Sequence, residues 1–143
     1  MLSRLIYRSK GDVSSEEFGQ ILAASRRNNA AAGVTGVLFH KRPHFIQVPE
    51  GSRDVLSRLF LRIAADDRHA DVTLMDMRAI SSRVFPDWSM ADLSVIILDR
   101  AAWRRIGSTA FEPETMSAEE VLSLLGRLAA ELAATTTRQL AVS

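Results

Sequence analysis

The chain has 143 residues, 47% apolar and 24% charged, with 18 basic side chains against 17 acidic ones and a net charge of +1. That is the make-up of one soluble globular domain with a real core, and the balanced charge gives no reason to expect nucleic acid or an anionic membrane as a partner. There is no cysteine, which excludes disulfides, thiolate metal sites and cysteine nucleophiles and fits a reducing compartment.

No apolar run approaches the roughly 18 residues of a membrane span, and the N-terminus MLSRLIYRSK lacks the apolar stretch of a signal peptide. A cytoplasmic location is the expectation. Residues 2–8, LSRLIYR, read as a strand with Leu5 and Tyr7 on one face and Arg4 and Ile6 on the other. Ser14 and Glu17 form an S-x-x-E capping box, and Phe18, Ile21, Leu22 and Ser25 follow on one helical face. This helix is expected to end at SRRNN, where two Arg in its last turn suit the negative pole and Gly33 turns the chain.

VTGVLFH (34–40), the turn KRPH (41–44) and FIQV read as a hairpin. Gly51 and Ser52 open a second helix with Val55, Leu56, Leu59, Phe60 and Ile63 at 3–4 spacing, closed by the polar loop DDRH (66–69). DVTLMDMRAI (71–80) is a fourth strand, and FPDWSM (85–90) leads into a fifth, MADLSVIIL. The order is β-α-β-β-α-β-β: an α+β, ferredoxin-like sheet with one added strand and two helices on one face. AAWRRIG (101–107) reads as a short helix. Ser117 and Glu120 cap an amphipathic helix through Val121, Leu122, Leu125, Leu128 and Leu132, and the tail TTTRQLAVS reads as frayed. The organisation expected is a domain over residues 1–98 with a C-terminal helical extension over 99–143, whose helices cover the other sheet face.

Several polar residues stand out against this frame. Tyr7 is the only tyrosine beside six Phe, and a strand position facing the helices obliges its hydroxyl to find a partner. Gln47 interrupts the apolar run HFIQVPEG; it is either that partner or an edge-strand residue wetted by solvent, a reading Pro49 favours because proline belongs at edges. Asn28 and Asn29 are either a solvated helix end or two amides able to read a donor–acceptor edge such as a pyrimidine's. Asp66, Arg68 and His69 are either a polar loop with an Asp–Arg pair or a lining. Trp88 and Met90 read most simply as core. The three His have no metal-binding spacing, and no G-x-G-x-x-G, P-loop or G-x-S-x-G occurs. An RNA-recognition reading lacks the paired exposed aromatics on which bases stack.

Taken in order, RLIYRS, SRRNNAAAGVTGVLFH, HFIQVPEG, RIAADDRHADV and FPDWSM closely resemble the successive motifs of BLUF domains, blue-light sensors using FAD, over roughly residues 2 to 98. The resemblance implies a photoreceptor rather than an enzyme, with a non-covalent flavin (FAD, or else FMN or riboflavin) between the two helices. It makes Tyr7 the electron and proton donor to the photoexcited flavin, and sets Gln47 between that hydroxyl and the flavin N5/O4 edge. Asn28 and Asn29 would hold the pyrimidine carbonyl and N3–H, and Asp66, Arg68 and His69 would line the ring and its ribityl side.

Trp88 and Met90 match the family's switchable pair, without an assignment of which points inward. Ile21 and Leu22 are expected ring contacts from their helix face. Rearrangement of the glutamine would give a red-shifted signalling state, relayed through the C-terminal helices or a homo-oligomer interface to a downstream protein. The departure is Pro49, where the family usually has a large aliphatic residue; it puts local strand pairing and dark recovery in question. Two other readings are an acylphosphatase-type enzyme, which lacks a phosphate-cradling glycine loop, and a non-photoactive interaction module, against which Tyr7, Gln47 and Asn29 together argue.

Overall fold

The computed structural model describes residues 1–98 and 112–142. Strand β1 (Leu2–Lys10) leads to helix α1 (Ser15–Ala32). The capping box forms: Ser14 Oγ accepts from the Glu17 amide (3.1 Å) and the Glu17 carboxylate from the Ser14 amide (3.2 Å). The helix outruns the expected end at Asn29, because Ala30–Ala32 are strong helix formers and only Gly33, at φ 71°, stops it. Arg26 and Arg27 therefore fall short of the last turn and do not serve its negative pole.

Strands β2 (Thr35–Lys41) and β3 (His44–Ser52) form the hairpin, Ser52 caps α2 (Arg53–Ala64), and β4 (Ala70–Ala79) follows. A crossover, residues 80–90, carries the chain to the opposite sheet edge. Strand β5 is only Ala91–Asp92, not the long strand the apolar run MADLSVIIL suggests. The Asp92 carboxylate accepts from the Ser94 amide (2.9 Å) and bends the chain into a 3₁₀ helix, Leu93–Leu98, while Ser94 Oγ takes the His40 N–H (2.7 Å) that a longer strand would have paired. The expected helix at 101–107 lies outside the described residues. Helix α3 (Ala118–Val142) starts at the Ser117–Glu120 box and continues through the tail read as frayed, which contains neither Gly nor Pro to end it.

The sheet order is β4-β1-β3-β2-β5, antiparallel throughout except for the parallel pair β2–β5. This is the ferredoxin-like α+β arrangement with its added strand. On one face Ile21 of α1 packs with Leu38 and Phe45, and Leu56 of α2 with Leu5 and Tyr7. On the other, Val121, Leu125 and Leu128 of α3 cover Ile6, Val37, Phe39, Ile46 and Val48. The late helix thus seals the second face. Because β3 lies between β1 and β2, Gln47 is not at a wetted edge, and the edge reading of Pro49 fails with it. The β1–β3 pairing runs Leu2–Arg4 against Glu50–Ser52, skips Leu5 and Ile6, and resumes at Tyr7 opposite Gln47. Proline has no N–H to give that ladder, and the gap falls opposite Val48 and Pro49.

Candidate functional site

The apolar clusters under α1 and α2 do not merge. Between them lies a cavity of about 230 Å³ over the middle of β1 and β3, smaller than the roughly 300–1,000 Å³ of drug-sized sites and suited to a ring system rather than a whole dinucleotide. Each helix supplies its wall at 3–4 spacing: Ile21, Ala24, Ser25, Asn28 and Asn29 from α1, and Leu59, Arg62 and Ile63 from α2, extended by Asp66, Arg68 and His69 beyond its end. Tyr7 and Gln47 complete the lining from adjacent strands.

Tyr7 is 1% exposed and donates its hydroxyl hydrogen to Gln47 Oε1. Burial raises its pKa well above 10, so the side chain is a phenol, and a donor, across the physiological range. Phe60 stands edge-on to the phenol ring, centroids 5.9 Å apart. Asn29 is buried and donates from Nδ2 to the Ser89 carbonyl (2.8 Å), which leaves Oδ1 as its accepting end. Gln47, with Oε1 engaged, keeps its donating end. Asn29 keeps its Oδ1, and Gln47 its NH₂, for an occupant of the cavity that both residues line.

Asp66 receives the Arg68 amide (2.9 Å) and the Arg68 guanidinium (Nη2–Oδ2 2.6 Å). That hydrogen-bonded cation lowers the carboxyl to about 2, against the opposing effect of burial, so it stays ionised. His69 shares a hydrogen bond between Nδ1 and Ser9 Oγ (2.8 Å); burial lowers its pKa more than nearby Asp66 raises it, favouring the neutral ring. Among the described residues no cluster of His, Cys, Asp and Glu suits a metal ion.

Of the residues singled out in the sequence, Tyr7, Ile21, Asn28, Asn29, Gln47, Asp66, Arg68 and His69 converge on this cavity. Leu22, about 100° further round the helix, instead lines a separate surface concavity of about 540 Å³ with Trp88 and Met90. Met90 is buried against Ile21, Leu38 and Phe45 on the cavity side of the sheet, whereas Trp88 is half-buried and packs toward the α3 layer. Met90 is thus the inward member of that pair. Sequence reasoning missed Arg62, although its i+3 relation to Leu59 places the two on one face of α2.

The family model for sensors of blue light using FAD, BLUF, matches residues 2–91. The chain belongs to the BLUF family. This is a sensory family rather than an enzymatic one, and flavin is its ligand. The BLUF relative "Photoactivated adenylate cyclase subunit beta" of Euglena gracilis is 36% identical over 92 residues, which is 62% of this chain and 11% of that protein. The chain spans about a ninth of the curated relatives it matches. Among solved structures, the dark state of the BLUF protein BlrB superposes with a TM-score of 0.75 at 36% identity, covering 91% of this chain and 96% of that one. The photo-activated state of BlsA gives a TM-score of 0.77 at 26% identity, covering 90% and 94%. Among the described residues no helix is long and apolar enough to cross a membrane.

Proposed function

We propose that this BLUF domain is a blue-light photoreceptor that holds a flavin non-covalently between α1 and α2 and stores the light signal in the Tyr7–Gln47 hydrogen bond. The observation that carries the reading is the polarity of the two amides. Asn29 presents an acceptor and Gln47 a donor, which complements a flavin edge with N3–H at one place and the acceptors O4 and N5 beside it. Asn28 and Ile21 on α1 and Asp66, Arg68 and His69 beyond α2 supply the remaining contacts, with FAD the expected form and FMN or riboflavin the alternatives. Leu22 and Met90 act from outside the cavity, as the backing of α1, and Trp88 acts from the α3 side.

A bound flavin supplies blue-light absorption and, when excited, an oxidant. Tyr7 supplies an electron, and its hydroxyl proton lies already on the path to Gln47 Oε1. An amide has two distinguishable ends, so after the electron and the proton have returned to the Tyr7 oxygen, restoring the phenol with no net oxidation, the side chain can settle with its bonding pattern reversed. A low-dielectric surround makes the altered pattern costly to ignore and lets it bias the neighbouring chain. Residues 1–98 form the sensing unit and 99–143 the extension that relays its state, to a downstream protein and within a homo-oligomer, in the cytoplasm.

Purified protein is expected to be yellow, to release its flavin intact on denaturation, and to show a reversible red-shifted flavin band under blue light. Colourless protein that takes up no added flavin would refute the proposal.

A further inference from the structure

Glu50 is fully buried, yet its carboxylate serves neither the cavity nor the sheet ladder. Oε2 accepts from Arg4 Nε (3.0 Å) and the Val84 amide (3.1 Å), and Oε1 accepts from the Phe85 amide (2.8 Å). A buried carboxylate is tolerated only when its lone pairs are engaged, and these three donors engage them. Two of the donors belong to the crossover, residues 80–90, which has no regular secondary structure to position it. Arg83 adds to the fastening, donating from Nη1 to the Glu50 carbonyl and Thr35 Oγ1 (both 2.7 Å) and from Nη2 to the Gly33 carbonyl (2.9 Å).

Further along, the crossover meets α1 and β2. The Trp88 carbonyl accepts from Gly36, the Ser89 carbonyl from Asn29 and the Met90 carbonyl from Arg26. One end of this segment is therefore held by a cavity residue, Asn29, and the other by a carboxylate three residues along β3 from Gln47.

Resting on the photoreceptor reading, we infer that Glu50 is a positioning residue of the light response, clamping the crossover that carries Trp88 and Met90 to the strand that carries Gln47. The clamp fixes the arrangement in which Met90 packs on Ile21 and Leu38 and Ser89 is bonded to Asn29. Loosening it lowers the cost of leaving that arrangement, so the restoring pull after illumination weakens. The clamp needs an acceptor at both oxygens: each faces N–H donors, so an amide of the same shape must set its NH₂ against at least one of them.

The test is Glu50→Gln in the flavin-bound full chain, read by amide hydrogen exchange in the dark and by recovery of the flavin band after illumination. Exchange at Val84 and Phe85 is expected to accelerate by about tenfold or more, and dark recovery to slow by about threefold or more with a red shift of wild-type size. Faster exchange with unchanged recovery would make Glu50 merely structural and overturn the inference, as would unchanged exchange. If Glu50→Gln does not fold, the half-buried Arg83→Met loosens the same segment and is read in the same way. Failure of the photoreceptor reading is told apart by wild-type protein alone, which would then bind flavin without a red shift.

Discussion

Tyr7 and Gln47 face each other directly across the β1–β3 ladder, and the phenol of one donates to the amide oxygen of the other. Each is a buried polar group, and each satisfies half of the other's requirement. The amide's second end is left for the cavity. A buried pair with one open valence is a place where an occupant and the protein read each other.

Gln47→Leu removes the acceptor while keeping the volume, and leaves the Tyr7 hydroxyl buried without it. Stability in chemical denaturation should fall by about 1–3 kcal/mol, and the light-induced shift should vanish. A variant as stable as wild type would show that the phenol does not depend on this bond.

Asn29→Ala removes the side chain that offers an acceptor to the cavity and tethers Ser89. Flavin should bind about tenfold more weakly, the equivalent of roughly 1.4 kcal/mol, measured by quenching of flavin fluorescence on titration. An unchanged Kd would remove Asn29 from the flavin contacts.

Two half-buried histidines set an acid limit. Burial lowers the pKa of both His69 and His40, the latter stacked between Phe18 and Phe45. Each binds a proton less readily folded than unfolded, so its stabilisation is complete above the unfolded value near pH 6.5 and is lost as pH falls through the depressed folded value. The Tm should drop between about pH 7.5 and about pH 5.5, and His40→Phe should flatten that dependence. Equal Tm at both pH values would contradict the assignment. Asp66 works at the other extreme: its contribution, present above the ordinary carboxylate range, is lost only as pH falls through about 2.

Pro49 is buried, pairs with Gly36 on β2, and lies where the β1–β3 pairing lapses. A Cβ at Gly36 would run into the Val48 carbonyl oxygen and come within 2.9 Å of Pro49 Cα, so the two strands are closely fitted here. Pro49→Leu restores an N–H to β3 two residues from Gln47. Dark recovery of this variant should change by about twofold or more while flavin binding is retained; identical kinetics would disconnect this proline from the switch.

Much of this arrangement is legible from the residues. Alternation placed Leu5 and Tyr7 opposite Ile6, and the S-x-x-E boxes located two helix starts, because these signals are local. At the end of α1 the Asn pair reads as a stop, while the three alanines behind it carry the helix on. Strand β5 is shorter than its apolar run suggests, because that run does not reveal that Asp92 will bond the Ser94 amide and bend the chain.

The role of Glu50 depends on donors more than thirty residues away, which no local pattern encodes. The convergence of Tyr7, Gln47 and Asn29 was anticipated from the order of motifs. The opposite polarity of the two amides needed the positions of Tyr7 and Ser89.

The most direct test of the switch is the light-minus-dark absorption spectrum of wild-type protein beside Tyr7→Phe, both loaded with flavin. The account predicts a reversible red shift in wild type and none in Tyr7→Phe, which should remain yellow because the phenol is not needed to hold the ring. A red shift of wild-type size in Tyr7→Phe would contradict it.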